Sequence, residues 1–196
     1  MSQAPEAPDA RVAPESSEDA VALLMRQHGD IRNLFDEVEK TSGEARADAF
    51  RRLVHLLAVH ETAEEEVLHP MARTAYAGAE KVVEKRLAEE KEAKELLSRL
   101  DGMDTEDPKF LPQLLTLRTE VMKHARAEER YEFLHIRRNS SPAQLATMAK
   151  ALRAAEATAP THPHPGVESA TKNALLGPVA AIVDRTRDAV RKAMGR

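Results

Sequence analysis

The chain has no cysteine and no tryptophan, two tyrosines, four phenylalanines and only seven glycines in 196 residues. Without cysteine there is no disulfide and no thiolate ligand, so metal chemistry here would rest on imidazole and carboxylate, donors that suit iron or manganese. The same lack fits a reducing, cytoplasmic setting. Seven glycines are few for a many-turned β fold. No run approaches the roughly 18 apolar residues that span a bilayer, so a membrane is not an expected partner. The opening MSQAPEAPDARVAPESSED carries neither the basic nor the apolar region of a secretory signal. A net charge of −4 gives no electrostatic reason to expect nucleic acid as a partner.

What is present is 42% apolar and 32% charged residues, rich in Ala, Leu, Glu, Lys and Arg, the composition of an all-α chain. Residues 1–17 are Pro, Ala, Ser and acids, which bury too little surface to order themselves. Ser16 or Ser17 can then cap a first helix in which Ala20, Leu24, His28, Ile31 and Phe35 recur at helical steps. A second helix, about 44–68, aligns Leu53, Leu57, His60, Glu64 and Val67 and stops at His69-Pro70. A third, about 79–100, aligns Val83, Leu87, Glu90, Ala93 and Leu97. The fourth follows Pro108 and runs to about Arg137 with Leu114, Leu117, Val121, His124, Glu128, Tyr131 and His135 on one stripe. Short connections make these antiparallel neighbours in an up-down-up-down four-helix bundle over residues 18–137.

Two His-x-x-x-Glu pairs, His60 to Glu64 and His124 to Glu128, lie on those stripes. Residues four apart on a helix differ by about 40° and one turn, so both side chains can reach one ion. With 23 glutamates and eight histidines, about one such pair arises by chance. His164 to Glu168, in PTHPHPGVE, is that coincidence, because three prolines preclude a helix there. The other two belong to a larger pattern. His28 precedes the first pair and Glu90 the second; the lone residues are 62 apart (28 to 90) and the pairs 64 apart (60 to 124), an internal duplication of a two-helix unit. The repeat also selects Glu90 over Glu89 as the inward carboxylate. Six polar residues at matching heights on apolar stripes are costly unless paired or metal-bound, which points to a dinuclear metal site.

At these residues the chain resembles the hemerythrin-like family, also called the HHE cation-binding domain. The matching segments are LLMRQHGDIRNLF, HLLAVHETAEEEVLHP, EEKEAKELLSRL and VMKHARAEERYEFL. The resemblance implies a bundle holding two non-haem iron ions, oxo- or hydroxo-bridged, with His28, His60, Glu64, Glu90, His124 and Glu128 as ligands and Glu64 and Glu128 placed to bridge. The family pattern has histidine where this chain has Glu90, and oxygen carriers have an Asp five positions after the last paired histidine. A carboxylate at position 90 adds negative charge and a harder donor, favouring the ferric state. The expected chemistry is therefore reaction with or sensing of O2, hydrogen peroxide or nitric oxide, with catalase- or peroxidase-like decomposition ahead of reversible transport. The alternative is a non-catalytic iron-binding or iron-sensing module that acts through a protein partner.

Tyr131, on the Glu128 stripe, is a candidate to hydrogen-bond a bridging oxygen or bind as phenolate, the other reading being an amphipathic tyrosine at the bundle edge. Glu120 could orient His124, although a solvated glutamate at the helix edge is the reading favoured for it. His55 and His69 are rotated about 140° and 180° from His60 and are expected to miss the site. His135 lies too far along its helix, and His162 and His164 fall in a Pro-rich connector. Residues 138–196 form a helical extension. Ser141-Pro142 starts a fifth helix to about Ala157, and a last basic amphipathic helix opens at Pro178, suited to docking on its own domain or to homodimerisation.

Overall fold

The computed structural model describes residues 19–160 and residue 162. The N-terminal tail, His164 and the helix expected after Pro178 lie outside the described residues. Helix α1 is Ala20–Lys40. Helix α2 runs Gly43–Ala63, passes through a wide π-helical turn at Glu64–Leu68, and ends as His69–Ala72. Helix α3 is Ala79–Asp101. Helix α4 repeats the plan of α2: Phe110–Glu128, a π-helical turn at Glu129–Phe133, then Leu134–Asn139. Helix α5 is Pro142–Glu156. Among the described residues there is no strand, and no helix is long and apolar enough to cross a membrane.

The cap of α1 is Asp19 rather than Ser16 or Ser17. Its carboxylate accepts the Ala22 N–H at 2.8 Å and pairs with Arg137 at 3.1 Å, so it satisfies an orphan amide and ties the start of α1 to the end of α4. At the other end Gly43, with φ of +58°, takes the left-handed conformation that lets the chain reverse into α2. Arg46 holds that reversal, donating to the carbonyls of Thr41 and Thr105 and so joining the α1–α2 and α3–α4 connections. Helix α5 starts as the sequence predicts, with a reciprocal cap: the Ser141 hydroxyl accepts from the Gln144 N–H, and the Gln144 side chain accepts from the Ser141 N–H.

The antiparallel order puts two apolar clusters at opposite ends. Toward the α1–α2 reversal, Phe35, Leu53, Leu97, Leu100, Phe110, Leu114 and Leu117 are essentially inaccessible. At the far end Leu24, Ala63, Leu68, Val83 and Phe133 pack together, and α5 adds Met148, Ala149, Leu152 and Ala155. Each such large side chain stabilises the fold by roughly 1.5–3 kcal/mol, and α5 closes the end of the bundle that four helices leave open. Between the clusters lies a layer of buried polar residues.

Candidate metal centre

All six sequence-predicted ligands meet in that layer, with His28, His60, Glu64, Glu90 and Glu128 buried and His124 mostly so. Among the described residues, three groups of side chains bring donor atoms close enough to share a cation: His28, His60, Glu64 and Glu128; Glu64, Glu90, His124 and Glu128; and His69, Glu128 and Glu132. The first two correspond to the two halves of the duplication and share Glu64 and Glu128. His60 Nε2 lies 3.3 Å from Glu64, His124 Nε2 3.2 Å from Glu128, and His28 Nε2 3.5 Å from Glu128. The four-residue spacing within one helix, together with helices crossing at matching heights, produces this convergence.

Each imidazole is held from behind. His60 Nδ1 donates to the side-chain oxygen of Gln27 at 2.8 Å, His28 Nδ1 to Glu129 at 2.9 Å, and His124 Nδ1 to Glu89 at 3.3 Å. These contacts fix the ring orientation and turn Nε2 inward. Glu120 pairs with Lys123 on the exposed side of the helix, the solvated position favoured for it, and does not orient His124. Glu89, turned from the centre by its neighbour Glu90, is the residue behind His124.

The wide turns account for two further departures from the periodicity. A π-helical turn closes its hydrogen bond over five residues instead of four, and the His69 N–H indeed reaches the Glu64 carbonyl. One residue of slip removes about 100°, so His69 lies about 40° from Glu64 rather than on the opposite face. It is buried, with Nε2 2.5 Å from Glu90 and Nδ1 donating to Glu132 at 3.0 Å. The same slip in α4 turns Tyr131 to about 160° from Glu128. Its side chain is 47% exposed beneath Arg130, away from the convergent donors, and Glu132 and Phe133 are buried instead. Helix α2 also continues through Pro70 rather than stopping, because the wide turn absorbs the break in register ahead of the proline. His135 stacks on Tyr76, and His162 pairs with Asp101 at the surface.

Several donor atoms of the layer lack polar partners. Both oxygens of Glu64 and of Glu128, one of Glu90, and Nε2 of His28 and His124 are buried without a hydrogen-bond partner. Leaving such atoms unpaired costs several kcal/mol each. Burial, reinforced by Glu128 and Glu90, pushes the Glu64 carboxyl well above its usual range. Burial also lowers His60 to about 3, helped by the field of His28. Burial opposes charge on Glu128 and on His124, yet the attraction between them wins, holding the carboxyl well down and the imidazole well up. Three convergent carboxylates and three imidazoles form a donor set that fits metal cations, which would supply the positive charge these unpaired atoms lack. A narrow pocket lined by Ile31, Leu57, Ala93 and Val121 reaches His28, His60 and His124, with space for a water-sized molecule.

A four-helix bundle with paired His-x-x-x-Glu donors inside defines the class of histidine- and carboxylate-lined metal-binding bundles. The chain belongs to the hemerythrin HHE cation-binding domain family, whose model matches residues 19–136. It is 25% identical over 173 residues to an uncharacterized hemerythrin-like protein of Schizosaccharomyces pombe, covering 86% of this chain and 85% of that one. It is 29% identical over 135 residues to a DNA nickase of Nostoc sp., covering 68% of this chain; the match spans only 38% of that relative's length. The fold is shared with a hemerythrin HHE cation-binding domain-containing protein from Mycobacterium kansasii, with a TM-score of 0.61 and 20% identity over 86% of this chain and 98% of that one.

Proposed function

We propose that this is a non-haem di-iron protein that reacts with or senses O2, hydrogen peroxide or nitric oxide, with peroxide decomposition ahead of reversible oxygen transport. The observation that carries the reading is the sharing of Glu64 and Glu128 between two four-residue donor sets. One set has His28 and His60 as its own donors, the other Glu90 and His124. A pair of iron ions at such a site supplies two-electron redox chemistry toward small oxidants. The protein's contribution is to fix the donors: Gln27, Glu129 and Glu89 lock the imidazole rings, and the apolar rim excludes bulk water. Glu90 adds a negative charge on one side only, which favours the oxidised state and disfavours reversible release.

A second reading, an iron-sensing module acting through a partner, draws on the link from His60 through Gln27 to α5. That link gives occupancy of the site a route to the end of the domain.

The test is metal analysis of protein from iron-supplemented cells, beside the double variant His60→Ala, His124→Ala. Near two irons per chain in the first and a loss in the second are expected. Fewer than one iron per chain, unaffected by the substitutions, removes the reading. Stopped-flow mixing of reduced protein with each oxidant then ranks the reactants, and rapid reversible oxygenation would contradict the role given to Glu90.

A further inference from the structure

The duplication carries an exchange that goes beyond the six residues. Adding 64, the offset of the His-x-x-x-Glu pairs, to 69 gives 133, so His69, directly after the wide turn of α2, corresponds in the repeat to Phe133, the last residue of the wide turn of α4. The lone residue of α1 packs against the α4 turn: His28 stacks on Phe133 with ring centroids 5.4 Å apart. The lone residue of α3 meets the α2 turn, with Glu90 against His69 at 2.5 Å. One half thus combines a histidine on the lone helix with phenylalanine at the end of the turn, and the other a glutamate on the lone helix with histidine directly after the turn. The imidazole missing at position 90 is present at position 69.

His69 also has the two-ended arrangement of the other three imidazoles. Its Nδ1 donates to Glu132, a buried carboxylate whose second oxygen has no partner. Its Nε2 faces inward, 2.5 Å from Glu90 Oε1 and 3.9 Å from Glu128 Oε1, the oxygens that lie 3.6 and 3.2 Å from His124 Nε2. Without an ion, burial opposes charge on the His69 imidazole, yet Glu90 and Glu132 hold it well above its usual range, and Nε2–H donates to Glu90. An ion held by Glu90 and Glu128 would take the place of that proton while Nδ1–H stays on Glu132.

We propose that His69 is a fourth imidazole ligand, binding through Nε2 the ion shared by Glu90, His124 and Glu128, with Glu132 fixing its tautomer. The proposal rests on the two-ion reading above and completes it, since each ion then has two imidazoles of its own: His28 and His60 for one, His124 and His69 for the other. Glu132 acts as a positioning residue through His69.

Anaerobic titration of the full chain with cobalt(II), followed by proton NMR, tests this by counting the hyperfine-shifted, solvent-exchangeable imidazole N–H resonances. Two cobalt ions and four resonances are expected for the wild type. His69→Phe, which installs the residue of the corresponding turn, should leave three and weaken the second cobalt at least tenfold. His55→Phe, at an exposed histidine, should change neither. Two cobalt ions with three resonances in the wild type, retained in His69→Phe, overturn the assignment while leaving the two-ion reading intact. Fewer than two cobalt ions in the wild type overturn both. If His69→Phe fails to fold, the wild-type resonance count still decides.

Discussion

Glu156, the last residue of α5, accepts a hydrogen bond at 2.7 Å from the side-chain amide of Gln27 on α1. The other end of that amide accepts from His60 Nδ1 at 2.8 Å. A helix outside the four-helix bundle therefore reaches a candidate metal ligand through one intervening side chain. Gln27→Leu keeps the bulk but removes both bonds, and is expected to weaken metal binding by about tenfold to a hundredfold. Glu156→Ala should cost less, because Gln27 keeps its contact with His60. Competition against a chromogenic chelator measures both; equal affinity in wild type and Gln27→Leu would show that the amide does not orient the ring.

Metal removal should destabilise the fold. An ion present at a hundred times its Kd adds about 2.7 kcal/mol, roughly 5–11 °C in Tm for a chain of this length. Glu64→Gln removes the buried carboxyl whose two oxygens lack partners. Its metal-free form should be at least as stable as the metal-free wild type while gaining less on loading. Differential scanning calorimetry with and without chelator checks this, and a wild-type Tm indifferent to the chelator would refute it.

Stability of the metal-free protein should fall as pH rises through neutrality. Burial pushes Glu61 up to about 8, and Glu65 up to about 7, against the pull of Lys94. A carboxyl raised in the folded state keeps a proton that the unfolded chain releases above its ordinary value of 4.5. Its favourable state is therefore complete at acid pH and lost between about 4.5 and 8. His28, which Glu128 and Glu129 raise against burial, acts in the same direction, while His60, lowered by burial to about 3, acts oppositely but only below 6.5. Glu61→Gln should flatten the dependence. Urea unfolding at pH 5.5 and 8 should then show the variant gaining on the wild type at the higher pH; a constant difference between the two proteins would contradict the buried-carboxyl account.

Tyr131→Phe should leave metal content and the iron absorption spectrum unchanged, since the side chain is half exposed and turned from the donors. A shift or loss of an absorption band in this variant would mean that the phenol reaches the centre in the loaded protein.

Much of the architecture was legible in the chain. Helical steps of three and four marked the apolar faces, Ser141-Pro142 marked the start of α5, and the repeat at 62 and 64 residues picked out the six donors that converge and the choice of Glu90 over Glu89. Those features are local or periodic, so the sequence by itself determined them: side-chain type and spacing along one helix settle which residues share a face. The wide turns at Glu64–Leu68 and Glu129–Phe133 were not legible, because a uniform step of about 100° assumes four-residue hydrogen bonding throughout. Tertiary structure decided that each helix inserts one residue there. That slip brings in His69 and Glu132, turns out Tyr131, and carries α2 past Pro70. Which polar neighbour stands behind each ring, Glu89 rather than Glu120 for His124 and Gln27 for His60, was likewise settled only by packing between helices, since those partners are distant in sequence and meet by the crossing of separate elements.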